Sequence, residues 1–388
     1  AAARRPGTQY VASVKTPANK TRLIPFEFST EQTYILEFGN QYIRFYRNNG
    51  QIESSGSAYE ISTPYLTAEL FDIKFAQSAD VMYITHPNHQ TRKLSRTGHT
   101  SWSLAAVEFT NGPFLDSNIT TTTLTPSSHG VGTGVTVTAS AVTGINSGSG
   151  FLATDVGRQI RIGVGYGIIT ARTNTTVVTI TITTALTNST ANADWSLGAF
   201  STTTGFPSCV SFFEQRLVFA ATISNPQTVY FSKSGDYESM DANIGGTIAD
   251  DDAIIYTIAS NQVNAIRFLT SARTLIIGTA GGEFVVSGGG DNNAVTPTNI
   301  MIKKQSNHGA ANVDAISVGN ATLFLQRAKR KIRELAYNFD VDGYIAPDLT
   351  ILAEHITEGN VVEMAYQEEP LAIIWCVRGD GQLIALTY

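Results

Sequence analysis

One unit recurs along this chain: a strand of alternating apolar residues followed by a tight hairpin whose first arm is strongly hydrophobic. It is plainest from Val313 to Leu335, where VDAISVG leads into NATLFLQ, the basic turn RAKRK and the return arm IREL. Comparable copies run from Arg22 to Arg47, Phe71 to Leu94, Ser208 to Ser232, Val263 to Ser287 and Val361 to Tyr388. The hairpin arms begin near Tyr34, Asp80, Arg216, Arg273, Asn320 and Leu371. Successive arms therefore lie about 50 residues apart, except for the long interval between Asp80 and Arg216. Treating roughly 88 residues between Asp116 and Thr204 as an insertion restores the period, and six copies result.

A sheet-forming period of this size is the signature of propeller blades, because one small meander cannot cover both of its faces unless neighbours stack against it. The expected fold is all-β: a β-propeller of about six blades with a small inserted β domain. The expected division is residues 1–116 for the first part of the propeller, 117–204 for the insert and 205–388 for the second part. Charged residues make up only 15% of the 388. Thr, Ser, Asn and Gly fill the deficit, a composition suited to strands and turns. The net charge of −6 gives no global attraction to nucleic acid, so any DNA contact has to be local or nonspecific. No apolar run is long enough for a helical membrane span.

The short stretch Gln9 to Val14 reads as an N-terminal strand able to complete the last blade. The chain opens at Ala1 without Met and stops just after QLIALTY, which suggests trimmed ends and a missing outer strand or tail. In YILEFGNQYIRFYR, Gly39-Asn40 is the expected hairpin turn. Tyr59 to Leu70 reads as an outer strand demoted partly to an edge by Pro64, and LTILAEHIT (Leu349 to Thr357) as a further copy of the strand pattern.

From Ser117 to Thr204 charge nearly vanishes, leaving Asp155, Arg158, Arg161, Arg172 and Asp194. Alternation in GVTVTAS and TTVVTITITTAL marks strands rather than disorder. The glycines of GVGTG (Gly130 to Gly134) and GVGYG (Gly163 to Gly167) are followed by neither a helical pattern nor GK[ST], so they read as strand turns.

Few residues suggest chemistry. Arg327, Lys329, Arg330, Lys331 and Arg333 form the densest basic cluster. It either meets the phosphate backbone of a nucleic acid or keeps a hairpin tip soluble and paired with Asp340, Asp342 and Asp348. Tyr166, Trp195 and Phe200 are the candidates for an exposed aromatic platform that would hold a glycan. His86 and His89 lie in a longer turn without the further ligands that zinc needs. The run Asp250 to Asp252 lacks the spaced ligands of a calcium loop and reads as a solvated turn. Cys209 and Cys376 read as two buried thiols. No G-x-S-x-G, H-E-x-x-H, Walker or sialidase-type S-x-D-x-G-x-x-W pattern occurs, so no catalytic residue, metal or cofactor is assigned.

Several phrases resemble one family. RRPGTQYV (Arg4 to Val11), LIPFEFSTEQTYILEFGNQYIRFY (Leu23 to Tyr46), QSADVMYITHP (Gln77 to Pro87) and RKLSRTGHTSW (Arg92 to Trp102) are similar to tailed-phage structural proteins. So are SCVSFFEQRLVFA (Ser208 to Ala220), SKSGDYE (Ser232 to Glu238), ASNQVNAIRFL (Ala259 to Leu269) and RKIRELAYNFDVDGYIAPDLTILAEHITEG (Arg330 to Gly359). Within the insert only FLATDVGRQIRIG (Phe151 to Gly163) is similar. The resemblance is to the tail nozzle, also called tail tubular or packaged-DNA-stabilising protein, of short-tailed phages. It implies a β-propeller subunit in a hexameric ring below the portal and adaptor, enclosing a channel that retains and conducts genomic double-stranded DNA. It implies a virion location, contacts with portal-adaptor proteins and tail fibres or needle, and no enzymatic residues. The insert is then the place for a tip or a contact with fibres. The alternatives are a receptor- or glycan-binding tail module and a propeller hydrolase.

Overall fold

The computed structural model describes residues 8–29, 32–259, 264–290 and 293–388. The Pro6-Gly7 turn, Val263 at the start of the fourth copy and part of the loop SGGGDNN lie outside the described residues. The chain divides into two compact units, one of residues 1–84 and 91–106, the other of residues 85–90 and 107–388. Among the described residues no helix is long and apolar enough to cross a membrane.

The first unit holds two antiparallel meanders. In one, Arg22–Ser29, Gln32–Gly39, Tyr42–Arg47 and Gly50–Gln51 pair in chain order, and Glu60–Ser62 adds to Tyr42–Arg47. In the other, Lys74–Ser78, Val81–His86, His89–Gly98 and Ser101–Ala106 pair in chain order. Because side chains alternate across a strand, Ile24, Phe26, Leu36, Phe38, Ile43 and Phe45 share one face, and they pack on Met82, Ile84, Leu94 and Trp102. Phe45 stacks on Trp102 at 4.5 Å between ring centres.

The second unit holds four more sheets and the insert. Cys209–Phe213, Arg216–Ala220, Thr228–Phe231 and Ile254–Thr257 form the first; Ile266–Ser271, Leu275–Thr279, Gly282–Gly288 and Ile300–Ser306 the second. Ile316–Val318, Ala321–Leu325, Ile332–Asn338 and Gly343–Ile345 form the third, and Val361–Gln367, Ile373–Arg378 and Leu383–Thr387 the three-stranded last. One apolar cluster joins the first to the second, one the second to the third, and one the third to the last. Stacking on both sides explains the hydrophobic first arms. Arg216–Ala220, Leu275–Thr279 and Ala321–Leu325 are buried at every position, as expected for strands covered on both faces. Six chain-order meanders with this stacking make the chain an all-β protein of β-propeller type.

Two glycines are required by aromatic neighbours. A Cβ on Gly39 would lie 2.2 Å from the ring of Tyr42, its cross-strand partner, and a Cβ on Gly278 would lie 2.1 Å from the ring of Phe268, also its partner. The first hairpin accordingly turns at Asn40-Gln41, with Gln41 at φ 63°, rather than at Gly39-Asn40.

Other local expectations are corrected. Gln9 to Val14 forms no strand. Tyr59 to Leu70 holds only the short strand Glu60–Ser62 before a 3-10 turn begins at Thr67, since Pro64 cannot donate to a ladder. His86 and His89 flank a two-residue turn, their rings 4.9 Å apart, rather than lying in a long loop. Leu349 to Thr357 is a run of turns in which Ile351 and Leu352 are exposed, because Gly343–Ile345 has already closed that sheet.

Between Leu124 and Leu197 the insert forms one six-stranded sheet, ordered Leu124–Pro126, Gly132–Ala139, Val177–Thr184, Gly165–Arg172, Gln159–Ile162 and Trp195–Leu197. Its core gathers Val137, Phe151, Ile160, Ile169, Val178, Ile180 and Trp195. Gly163-Val164 is a hairpin turn between Gln159–Ile162 and Gly165–Arg172.

Candidate functional site

The basic cluster sits where Ala321–Leu325 turns into Ile332–Asn338, and the turn divides it into two groups. Lys331 is held at 3.0 Å from Asp348 and 2.8 Å from Glu354. These bonds, from Glu354 first and then Asp348, raise the Lys331 ammonium above its ordinary range. Burial works to raise the Asp348 carboxyl, but hydrogen bonds from the Thr350 hydroxyl and amide and from Lys331 hold it low. Arg333 donates from Nε to Gln326 Oε1 at 2.9 Å and from Nη1 to the Ala346 carbonyl at 2.6 Å. Lys331 and Arg333 are thus committed to their own blade.

Arg327 and Arg330 are exposed, and with Lys329 they carry no ion pair among the described residues. Lys329 takes a left-handed conformation at φ 61°, and its carbonyl accepts the Val361 amide at 2.8 Å. Arg330 Nη2 approaches the Glu354 carbonyl at 3.5 Å. Three cations therefore remain available to a phosphate backbone, rather than the five of the sequence cluster.

The aromatic trio forms no exposed platform. Tyr166 is 5% exposed and Trp195 3%, and the Trp195 indole donates to the Thr122 carbonyl at 2.9 Å. Tyr166 meets Phe114 edge-on, and Phe200 packs against Phe109, Phe219 and Tyr230. The physical reason is the scarcity of apolar residues in the insert: its few large rings are consumed in closing its own core and the adjoining segments.

The aspartate run is also not a simple solvated turn. Arg216, 2% exposed, donates to the carbonyls of Ser232 at 2.8 Å, Asp252 at 2.6 Å and Asp250 at 2.6 Å. Asp252 is itself buried, and its carboxylate accepts the Ala249 amide and lies 3.2 Å from Lys233 Nζ. Main-chain oxygens of the run are thereby taken by a guanidinium, and Lys233 pairs with the carboxylates of Asp251 and Asp252.

Nothing in the sequence pattern marked the polar centre of the insert. Asp155 accepts the Leu152 amide, the Asn146 amide group and the Thr203 hydroxyl, and pairs with Arg158. Arg158 also donates to the Gly198 carbonyl and Asn146 Oδ1, both at 2.8 Å. The one available signal was their presence among five charges in a stretch otherwise nearly without them. Cys209 and Cys376 are both buried free thiols, and burial pushes the Cys376 thiol up to about 12, far from a reactive thiolate.

No family model matches the chain, and no curated protein matches it in sequence. Among solved structures it is similar to YCF48 bound to D1 peptide, at 9% identity over 97% of each chain and a TM-score of 0.38. It is similar to the β-propeller domain of Cps50 (Swd1) from Myceliophteria thermophila, at 8% identity over 95% of this chain and 98% of that one, TM-score 0.40. It is similar to the phage phi92 endosialidase, at 9% identity over 95% of this chain and 60% of that one, TM-score 0.29. The blade assignment rests on the strand pairing and stacking described above, and these likenesses add nothing to it.

Proposed function

We propose that this protein is a non-catalytic structural component of a short-tailed phage tail, one subunit of a nozzle ring that retains and then conducts double-stranded DNA. The observation that carries the reading is how the polar groups are spent: Arg158, Arg216 and Arg333 are wired to backbone carbonyls, and Lys331 to acids of its own blade. Such groups stiffen a scaffold. The tip at Arg327, Lys329 and Arg330 is the cluster we assign to weak, sequence-independent contact with a polyanion. The tailed-phage phrases fall in both compact units and in five of the six meanders, and the net charge of −6 suits a conduit that must release DNA.

On this reading the working form is a homo-oligomer, with six copies as the family resemblance implies, bound to portal-adaptor proteins and to fibres or needle, in the virion tail and without a cofactor. Electron microscopy of the purified protein, and of a virion carrying it, tests this. A six-fold ring with a central lumen at the distal tail is expected. A protein that stays monomeric at high concentration and is absent from the tail sinks the reading.

A further inference from the structure

His99 stands in the turn between His89–Gly98 and Ser101–Ala106, and both of its ring nitrogens are engaged. Nε2 lies 2.7 Å from Arg47 Nη1, at the end of Tyr42–Arg47, and Nδ1 lies 2.7 Å from Tyr34 Oη, on Gln32–Gly39. All of these residues belong to the first compact unit. His99 is exposed, so protons reach it from solvent.

Hydrogen-bond chemistry fixes which nitrogen holds the proton. A guanidinium carries only N–H groups, so Arg47 can only donate and Nε2 has to offer a bare lone pair. The neutral ring then keeps its proton on Nδ1 and gives it to Tyr34 Oη. Tyr34 is 1% exposed, and its oxygen also accepts from Arg96 Nε at 2.9 Å and from the Gln32 side-chain amide. Protonating His99 adds an N–H at Nε2, which sets donor against donor and charge against charge. At 2.7 Å that contact cannot persist.

The surrounding charges do not relieve the conflict. His99 is the acceptor for the Arg47 side chain, whose Nε has none among the described residues. Arg96 is a second nearby cation, and the acid that pairs with it, Asp80, is already engaged at 3.2 Å. Partial desolvation, and after it the charges of Arg47 and Arg96, hold the His99 imidazole below its ordinary range. The turn is also tied to the core. The Trp102 indole donates to the His99 carbonyl at 3.1 Å, and its ring stacks on Phe45.

We propose that the His99 turn is an acid-operated latch, in which one proton taken up at Nε2 releases the ring from Arg47 and loosens residues 98–101. Above the ordinary imidazole value of about 6.5 the latch is closed and its stabilisation complete. That contribution is lost as pH falls through the depressed folded value. The latch does not depend on the nozzle reading.

The test is NMR of the whole isotope-labelled chain from about pH 7.5 to about pH 5. His99→Gln identifies the His99 ring signals by their loss. The parent should show the Nδ1–H tautomer at the upper end and a ring midpoint below about 6.5. With the same midpoint, protection of the Trp102 amide and indole N–H, bonded to Tyr59 Oη and the His99 carbonyl, should fall about tenfold. In Arg47→Gln an amide can turn either its N–H or its oxygen to Nε2. The ring should then titrate in place, with a higher midpoint and Trp102 protection kept at the acid end. If this variant does not fold, His99→Gln decides, since its Trp102 protection should not change with pH. An Nε2–H tautomer at the upper end, a midpoint at or above the ordinary value, or unchanged Trp102 protection in the parent overturns the proposal.

Discussion

Arg158 Nη1 lies 2.8 Å from Asp155 Oδ1, and neither side chain has any exposed surface. Burial by itself pulls the guanidinium below its ordinary range, and the charge and hydrogen bonds of Asp155 oppose that pull. A pair of this kind is marginal as a net stabiliser, but removing one member strands the other. Asp155→Ala should therefore cost about 3–5 kcal/mol. The double replacement Asp155→Leu with Arg158→Met should cost much less than the single change. Urea unfolding of the three proteins checks this, and a double variant that loses as much as the single one would show that stranding Arg158 carries no penalty.

Arg216 organises the turn before Ile254–Thr257 through backbone oxygens alone. Four charged hydrogen bonds end on carbonyls of residues 232, 250, 251 and 252, so Arg216→Ala should destabilise by about 3 kcal/mol or more. Arg216→Lys should recover only part of this, since an ammonium cannot span the same fork of acceptors. Hydrogen exchange localises the effect: the amides of Asp252 and Ala253, bonded to Ala249 and Asp241, should lose protection before those of Leu275–Thr279.

The contrast between these two arginines and the strand pattern shows what a sequence of this kind exposes. Alternation in RLIPFEF and the solid apolar run ATLFL follow directly from how many faces of a strand are covered, so the six meanders and the separate insert sheet could be read off. Side-chain destination is a different matter. Trp195 and Phe200 looked available because the insert is polar around them, yet polar surroundings in sequence are strand faces turned to solvent, and the rings turn the other way. Arg216 bonds to residues up to 36 positions away, and no local spacing encodes that. The basic cluster was legible as a cluster, but its division into bound and available cations depends on Asp348, Glu354 and Ala346, which reach it only through tertiary packing.

Glu283 gives the fold a pH dependence. It is fully buried on Gly282–Gly288, and burial raises its carboxyl above the ordinary range, while the Ser306 hydroxyl and the His308 and Gly309 amides pull back in part. A folded-state value above the unfolded one means that the neutral acid is favoured in the native protein. This contribution is complete below about pH 4.3 and is lost as pH rises through the raised folded value. Glu283→Gln removes the titration. The variant should match the parent near pH 4 and exceed it in stability near pH 7. A parent-minus-variant difference that does not change over that range would show that burial does not govern this carboxyl.

The basic tip yields the sharpest separation between a structural and a nucleic-acid role. Arg327 and Arg330 are exposed, whereas Lys331 is tied to Asp348 and Glu354. If the tip meets a DNA backbone, only the untied side chains displace counterions from it. Each phosphate contact contributes about −0.9 to the slope of log affinity against log salt concentration. Arg327→Glu with Arg330→Glu should therefore flatten that slope by about 1–2 for random-sequence duplex, with little effect on the melting temperature. Lys331→Ala should do the reverse: it leaves the slope nearly unchanged and loosens the Thr350–Glu354 turn, where faster exchange at Ala353 and Ile356 would register. The charge change in the double variant also repels DNA at long range, so Arg327→Gln with Arg330→Gln is the control. If the glutamine pair leaves the slope intact while the glutamate pair flattens it, the tip lies near the polyanion without contacting it. If neither pair alters the slope, the cluster is only a soluble hairpin end.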